Sequence, residues 1–542
     1  MLKKKIILYL LLTLWAIGET DKDYLKLAIT SSEKGFYELS NKYLEEYIAK
    51  KEENFLDLVY LIYGYNLFNL EKYPSAIEKL EIVIKRFPLS PYLKNAYLYL
   101  IPSYLKINNL ENSLTYYREY KNKFGKEANL EKQIGKTILE RGIYFFKNKN
   151  FIDAKNNFNI IIREFEDVDL LVWSNYYLGL IEFEISDFKK AIEYFQKVIE
   201  SGKGDMVSDG KLKIGDCYFN LGDYEKAEIY YQELLKEDNI FSEWAKFQIS
   251  IIEKRKGNLE KAKGILKNVK YFGDDELKFN VLNELSGIYI LLEDWKEAEN
   301  ILNEILNTFP QRKEIPEIYF KLGVVNFNKK NFDNAIKFFK ASISLSKGNT
   351  TIEKSLFFLG YLYYIKNDFN KSFESWENLK TSYPESSFIP MTLFLKGKKF
   401  YEDKKFEQAE NLFKEVIEKE TVYYEDACFY LIDILIKRKK LEEGEFYAMK
   451  LVEKKKDSKN EFLLGKIFYL KGEYEKAEQI FNNLKTENPS IKAEMSFYLG
   501  DIYKKKGNIE KAKEKFIEVI SLYPQFKEWK ELSEKSLKQL GK

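Results

Sequence analysis

Among its 542 residues the chain contains no histidine. That absence excludes imidazole general acid–base catalysis, imidazole metal ligation and a histidine pH switch. Cysteine is nearly absent too: Cys217 and Cys428 are the only two. They lie several repeats apart in a recurring pattern. At roughly 8–10 Å per packed helix layer, their separation should far exceed the roughly 7 Å Cα limit of a disulfide. Neither sits at a helix start or in a basic setting, so both read as small core residues rather than reactive thiols. Glycine (26) and proline (10) are sparse, which leaves little room for long loops or low-complexity segments. Net charge is small: Lys+Arg is 88 against 85 Asp+Glu, and setting aside Lys3, Lys4 and Lys5 leaves 85 against 85. A balanced chain lacks the electrostatic footprint of a nucleic-acid binder. The short basic runs at 437–440, 454–456 and 504–506 are flanked by acids and read as solvated helix faces.

Long apolar runs are also missing, with one exception at the N-terminus. Lys3–Lys5 precede the apolar stretch Ile6–Leu14, then Ala16-Ile17-Gly18 and the polar residues from Glu19. This order of positive, apolar and small residues predicts a secretory signal over 1–18. The run is shorter than the about 20 residues a membrane-spanning helix needs. The alternatives are an uncleaved anchor and a buried cytosolic helix. No cysteine follows the run to take a lipid.

What the chain has in abundance is aromatic residues, 41 Tyr and 41 Phe, and a repeat. Small residues recur at Ser40, Ala76, Ser113, Ala154, Ala191, Ala227, Ala262, Ala298, Ala335, Ser372, Ala409, Gly444, Ala477 and Ala512. Twelve residues earlier stands a second position, which is glycine at 64, 142, 179, 215, 323, 360, 397, 465 and 500, small at Ala28, Ser250 and Ser286, and Ile at 101 and 432. Two antiparallel helices that cross closely need small residues at the crossing. Four residues after the alanine comes a large plug such as Phe195, Tyr231 or Trp376, stacked on the same helix face. Pro88, Pro310, Pro384, Pro489 and Pro524 are predicted to end second helices. Turns such as Gly222-Asp223-Tyr224 and Gly472-Glu473-Tyr474 read as stop and restart signals.

The pattern resembles the tetratricopeptide repeat (TPR), a helix–turn–helix unit of about 34 residues. Gly215, Tyr218, Ala227, Tyr231 and Pro524 match its signature positions, and the resemblance covers about residues 21–525. It implies an all-α fold: a right-handed α-solenoid superhelix of about 14 units with a C-terminal capping helix over 526–542. Units one to three would occupy 19–123 and units four to fourteen 131–525. The longest step, from Ser113 to Ala154, places a hinge near 124–130. Pro102 should kink its helix, and the twelfth unit, with Ile432 and Gly444, should be a second irregular joint.

TPR stacks resemble one another in a concave groove lined by first helices. By register, the positions three before and one and four after the glycine should face it. They include Leu61, Tyr65 and Phe68; Tyr176 and Phe183; Phe320 and Phe327; Phe357, Tyr361 and Tyr364; Phe394 and Tyr401; and Phe462 and Tyr469. An aromatic groove suits an extended peptide or an apolar helix of a partner. The same rings would equally serve to fill gaps between neighbouring repeats. No unit pairs a lysine three before the glycine with an asparagine one after it, so a carboxylate clamp of the kind some TPR proteins carry is not expected.

Chemistry is not expected either. Gly135-Lys136-Thr137 lacks the earlier glycine of a phosphate loop, because Leu130 stands in its place. Glu442/Glu443 are helix-surface charges, and no zinc-ligand spacing or G-x-S-x-G elbow is present. No enzyme activity, cofactor or metal is therefore expected. Phe87-Pro88-Leu89-Ser90-Pro91 and Tyr383-Pro384-Glu385-Ser386-Ser387 resemble segments of bacterial envelope TPR proteins, among them the outer-membrane assembly component BamD and the periplasmic Tol-Pal coordinator. The resemblance implies an exported scaffold, periplasmic or associated with the outer membrane. It would bind other proteins along its groove, with room for peripheral membrane association and no nucleic-acid partner. Two alternatives are a module that binds glycan or a glycan-modifying enzyme, and an inner-membrane anchored co-chaperone or sensor.

Overall fold

The computed structural model describes residues 21–50, 53–346 and 350–541. The signal reading over 1–18 therefore lies outside the described residues. Within them the chain is 80% helical, with 29 helices and no strand. Fourteen antiparallel pairs run from Asp21–Glu33 with Tyr37–Ala49 to Pro489–Lys505 with Ile509–Leu522, and a single helix, Lys527–Leu540, follows. The chain forms two compact units that divide between Val281 and Leu282, inside the helix Asp275–Leu291.

Each pair is made by the same local chemistry. The residue five before the small ladder position always has positive φ. It is glycine at 35, 222, 257, 472 and 507, and a non-glycine elsewhere: Glu71, Asn108, Lys149, Ser186, Glu293, Lys330, Asn367, Lys404 and Lys439. A left-handed residue ends the first helix, because its own and the next amide turn back to the last carbonyls. The Asp223 amide, for example, donates to Tyr218 O at 3.0 Å. The next residue then caps the second helix. Asp223 accepts from the Lys226 amide, Asp294 from Glu297 and Asn508 from Lys511.

The small ladder residues are fully buried, from Ser40 and Ala76 to Ala512. The glycine opposite makes room for the plug of its own unit, sixteen residues on. A methyl group on Gly323 would come within 2.5 Å of the Phe339 ring, and one on Gly179 within 2.7 Å of Phe195. Real Cβ atoms do not approach so closely, so a side chain there requires the ring to leave. The two positions exchange volume along the chain. Glycine meets an aromatic plug in eight units (Phe158, Phe195, Tyr231, Phe339, Trp376, Phe413, Phe481 and Phe516) and Leu80 in a ninth. Ala28, Ser250 and Ser286 stand sixteen before Leu44, Leu266 and Leu302, all of them buried. In the twelfth unit the order is inverted, with Ile432 and Ala448 both fully buried. Close packing explains the exchange, since the inter-helix gap has one volume to fill. The third unit departs: Ile101 and Tyr117 are both large. There Tyr117 stacks on Phe165 at 5.9 Å, and its hydroxyl donates to Glu131 at 2.5 Å.

Several expectations change. The extra residues near 124–130 do not form a long connection. Gly125, with φ 81°, closes Leu110–Phe124, and a 20-residue helix, Ala128–Lys147, begins three residues later. Leu130, Ile134 and Ile138, spaced four apart and buried, extend that helix by giving its first turns an apolar face. The twelfth pair is regular, Tyr424–Lys437 with Leu441–Lys454, because the inverted volumes still fill the crossing. Pro102 lies within the helix Leu93–Lys106, which continues past it. Pro489 does not end a second helix. It opens Pro489–Lys505 at the first position, where proline lacks no bond, while the preceding helix ends at Asn483. Cys217 and Cys428 are buried and unpaired, and burial pushes both thiols up to about 12. In the closing helix Trp529 packs on Phe497 at 5.3 Å and on Tyr498 at 5.5 Å, covering the last pair.

Candidate docking face

The first helices present a face whose positions follow the glycine register. Of the fourteen residues placed there by sequence, Leu61, Phe357 and Phe462 are buried and the other eleven half-buried; none is fully exposed. Their rings pack partly across repeats and partly within their own. Tyr65 and Phe68 meet Tyr99 of the next unit at 4.9 and 5.7 Å. Tyr176 packs on Phe195 at 5.9 Å and Phe183 on Phe188 at 5.3 Å. Phe320 and Phe327 both meet Phe358, at 5.9 and 6.0 Å. Phe357 stacks on Phe388 at 4.5 Å and on Tyr361 at 6.1 Å, while Tyr364 packs on Trp376 at 5.7 Å. Phe394 stacks on Tyr423 at 5.4 Å, Tyr401 meets Tyr430 at 5.1 Å, Phe462 meets Phe481 at 5.8 Å and Tyr469 meets Tyr498 at 4.4 Å. A partner on this face would meet ring edges, hydroxyls and the polar groups between them.

Those polar groups are what counting rings overlooks. The position one after the glycine register is aspartate in three units: Asp216, Asp433 and Asp501. In two of them the surroundings repeat. Tyr401 donates its hydroxyl to Asp433, and Lys437, four residues on, pairs with Asp433 at 2.5 Å and bonds the Tyr401 hydroxyl at 2.6 Å. Tyr469 donates to Asp501 at 2.7 Å, and Lys505 pairs with Asp501 at 2.8 Å. Each lysine also lies over its tyrosine ring, at 4.6 and 5.0 Å. Burial and the Asp501 carboxylate both push the Tyr469 hydroxyl above its ordinary value.

Asp216 differs. Its Oδ1 accepts from the Tyr231 hydroxyl at 2.8 Å and from Gln248 Nε2 at 3.0 Å. Its Oδ2 has Lys213 Nζ at 3.8 Å and accepts no hydrogen bond among the described residues. Burial, reinforced by the nearby Asp209 carboxylate, holds the Asp216 carboxyl above the ordinary carboxylate range. Asp209 accepts from the Tyr176 hydroxyl at 2.6 Å. Trp173, 40% exposed, lies edge-on to Tyr176 at 6.0 Å. For Asp433 and Asp501 the signal in sequence was available as an aspartate fixed to the register with a lysine four residues later.

No group of three or more Cys, Asp or Glu side chains among the described residues is placed to hold a metal ion. The P-x-S phrases form turns between units. The Ser90 amide donates to Phe87 O at 3.0 Å while Ser90 Oγ accepts from the Tyr92 amide, and Ser386 repeats both bonds with Tyr383 and Phe388.

Comparison with known proteins agrees with the repeat. Tetratricopeptide repeat models match residues 174–201, 209–239, 316–349 and 493–526. The chain is 26% identical over 412 residues to a TPR repeat-containing protein of Methanocaldococcus jannaschii, covering 60% of this chain and 71% of that protein. Among solved structures, it resembles the C-terminal part of a TPR repeat-containing protein from Cytophaga hutchinsonii at 17% identity and a TM-score of 0.37, over 47% of this chain and 99% of that one. It also resembles pilF of Pseudomonas aeruginosa at 16% identity and a TM-score of 0.30, over 41% and 97%. The chain carries tetratricopeptide repeats in an all-α fold suited to binding proteins.

Proposed function

We propose that this chain is an exported, non-catalytic scaffold that docks extended segments of other proteins on the first-helix face of its repeats. The observation that supports it most is the recurrence of the Tyr–Asp–Lys arrangement at 401/433/437 and 469/501/505, which offers equivalent polar subsites two repeats apart. Repeated weak subsites raise affinity through effective concentration rather than through one deep pocket. Phe462 stands with Tyr469 on the same first helix, and the other register residues would offer ring edges and hydroxyls on their own repeats.

Export rests on Lys3–Lys5, Ile6–Leu14 and Ala16-Ile17-Gly18. No helix among the described residues is long and apolar enough to cross a membrane. A periplasmic or outer-membrane site, in envelope assembly or secretion, follows from the signal and from the P-x-S phrases. The second of these is the weaker support, since the phrases also serve as turn chemistry.

In-cell crosslinking of the tagged full chain, with mass spectrometry of partners and of the chain's own N-terminus, tests the reading. A start at Glu19 with envelope proteins captured supports it. An intact Met1 with cytosolic partners overturns the localisation. A saccharide bound with no protein partner overturns the scaffold.

A further inference from the structure

The three aspartates one step after the glycine register occupy equivalent places on three first helices, yet they differ in their counter-charge. Asp433 and Asp501 each have a lysine four residues on, Lys437 and Lys505, which pairs with the carboxylate at 2.5 and 2.8 Å. In the sixth unit that position is Asn220, whose side-chain amide is turned to its own helix and donates to the Asp216 carbonyl at 2.7 Å. The Asp216 carboxylate is only 14% exposed, and its Oδ2 has no closer cation than Lys213 Nζ at 3.8 Å. Asp209, seven residues earlier on the same helix, has no ion pair among the described residues, and it repels Asp216. Arg255, at the equivalent position of the next unit, lies over the Phe219 ring at 4.7 Å and bonds the Tyr224 hydroxyl. The lysine four residues on, present in the twelfth and fourteenth units, is therefore absent in the sixth, where Lys213, three residues earlier, pairs with Asp216 only at 3.8 Å.

We infer that the face around Asp216 and Asp209 is a subsite for a lysine or arginine side chain of an extended partner segment. That side chain takes the place Lys437 and Lys505 take against their own aspartates. The geometry suits such an occupant. Oδ2 of Asp216 is the acceptor left over, Asp209 adds a second carboxylate, and Tyr176 and the exposed Trp173 offer rings to the aliphatic stem and to the charge. A charged donor on a half-buried carboxylate forms a stronger bond than a neutral one, so a single side chain can set the register of the segment. Burial raises the Asp216 carboxyl although Lys213 acts against it, and a partner cation in contact with Oδ2 would lower it. This inference rests on the scaffold reading and names the chemistry of one subsite.

The test is selection of a random dodecapeptide library, displayed on phage, against the full-length chain and three variants, with thermal melts as a check on folding. Peptides held by the wild type should be enriched in Lys or Arg at one position. Asn220→Lys, which supplies the missing internal cation, should weaken a selected cationic peptide about tenfold, and Asp216→Asn should do the same. Lys437→Asn opens the equivalent place at Asp433 and should create a second cation-selecting subsite. Because that variant gains binding, it keeps the test decisive even where a substitution at 216 or 220 unfolds the repeat. Selected peptides without a cationic position, or cationic peptides indifferent to both Asn220→Lys and Lys437→Asn, overturn the inference and leave the scaffold reading standing. Recovery of no peptide above background overturns both.

Discussion

The ninth and twelfth repeats cross their helices at the same register and fill the crossing in opposite ways. In the ninth, Gly323 leaves space that Phe339 takes; in the twelfth, Ile432 takes the space and Ala448 concedes it. Both members of each pair are buried, and both repeats are regular. In these two repeats the crossing is filled by trading size between the two places rather than by a fixed residue at either. The glycine of the signature is one way of partitioning that volume.

Breaking the ninth pair from the plug side should have the largest effect. Phe339→Ala leaves a cavity and should cost about 3–5 kcal/mol. In a repeat array the loss is local, so it should be read as faster hydrogen exchange in Ile315–Asn328 and Phe332–Leu345. Gly323→Ile alone overfills the gap and should cost about 1–3 kcal/mol or more. The double variant carries the twelfth unit's pair into the ninth. It should be more stable than the sum of the singles by at least about 1 kcal/mol in a double-mutant cycle; strict additivity would show that the two positions do not share a volume.

Alanine at the glycines sharpens the comparison on a finer scale. Gly397 is the loosest of the nine, with Phe413 3.0 Å from an added methyl, against 2.5 Å to Phe339 at Gly323. Gly397→Ala should therefore cost about 1 kcal/mol less than Gly323→Ala, measured by denaturant midpoint. Lys404 holds a left-handed backbone with φ 58° that glycine adopts freely. Lys404→Gly should stabilise its unit by about 0.5–1 kcal/mol, seen as slower exchange in Phe406–Glu418. Gly444 is different again: an added methyl meets only ordinary contacts at 3.6 and 3.9 Å. Gly444→Ala should stabilise the twelfth unit by about 0.5–1 kcal/mol through helix propensity, measured by denaturant midpoint.

The ladder from Ser40 to Ala512 was legible because small residues at a fixed step have one simple cause, close helix crossing. The left-handed turn residue was legible only where it is glycine. At Lys330 or Glu293 nothing in the residue announces it, although the Asn331 or Asp294 cap that follows does. Phe124 to Leu130 read as a hinge because a longer step was taken for a longer connection, whereas Leu130, Ile134 and Ile138 had the spacing of an added helical turn. On the docking face, Tyr401 and Tyr469 could be placed by register. Their hydrogen bonds to Asp433 and Asp501, each 32 residues away, could not.

The sequence by itself determined the helix pairs, their number and the buried side of each helix. Those properties follow from local periodicity, capping and side-chain size. Tertiary structure alone decided which side chains meet across repeats. It set Tyr65 against Tyr99, stacked Phe357 on Phe388, and brought the Tyr401 and Tyr469 hydroxyls to Asp433 and Asp501. The physical reason is that such contacts depend on how one repeat is set against the next, and that placement is the joint outcome of packing many side chains at once.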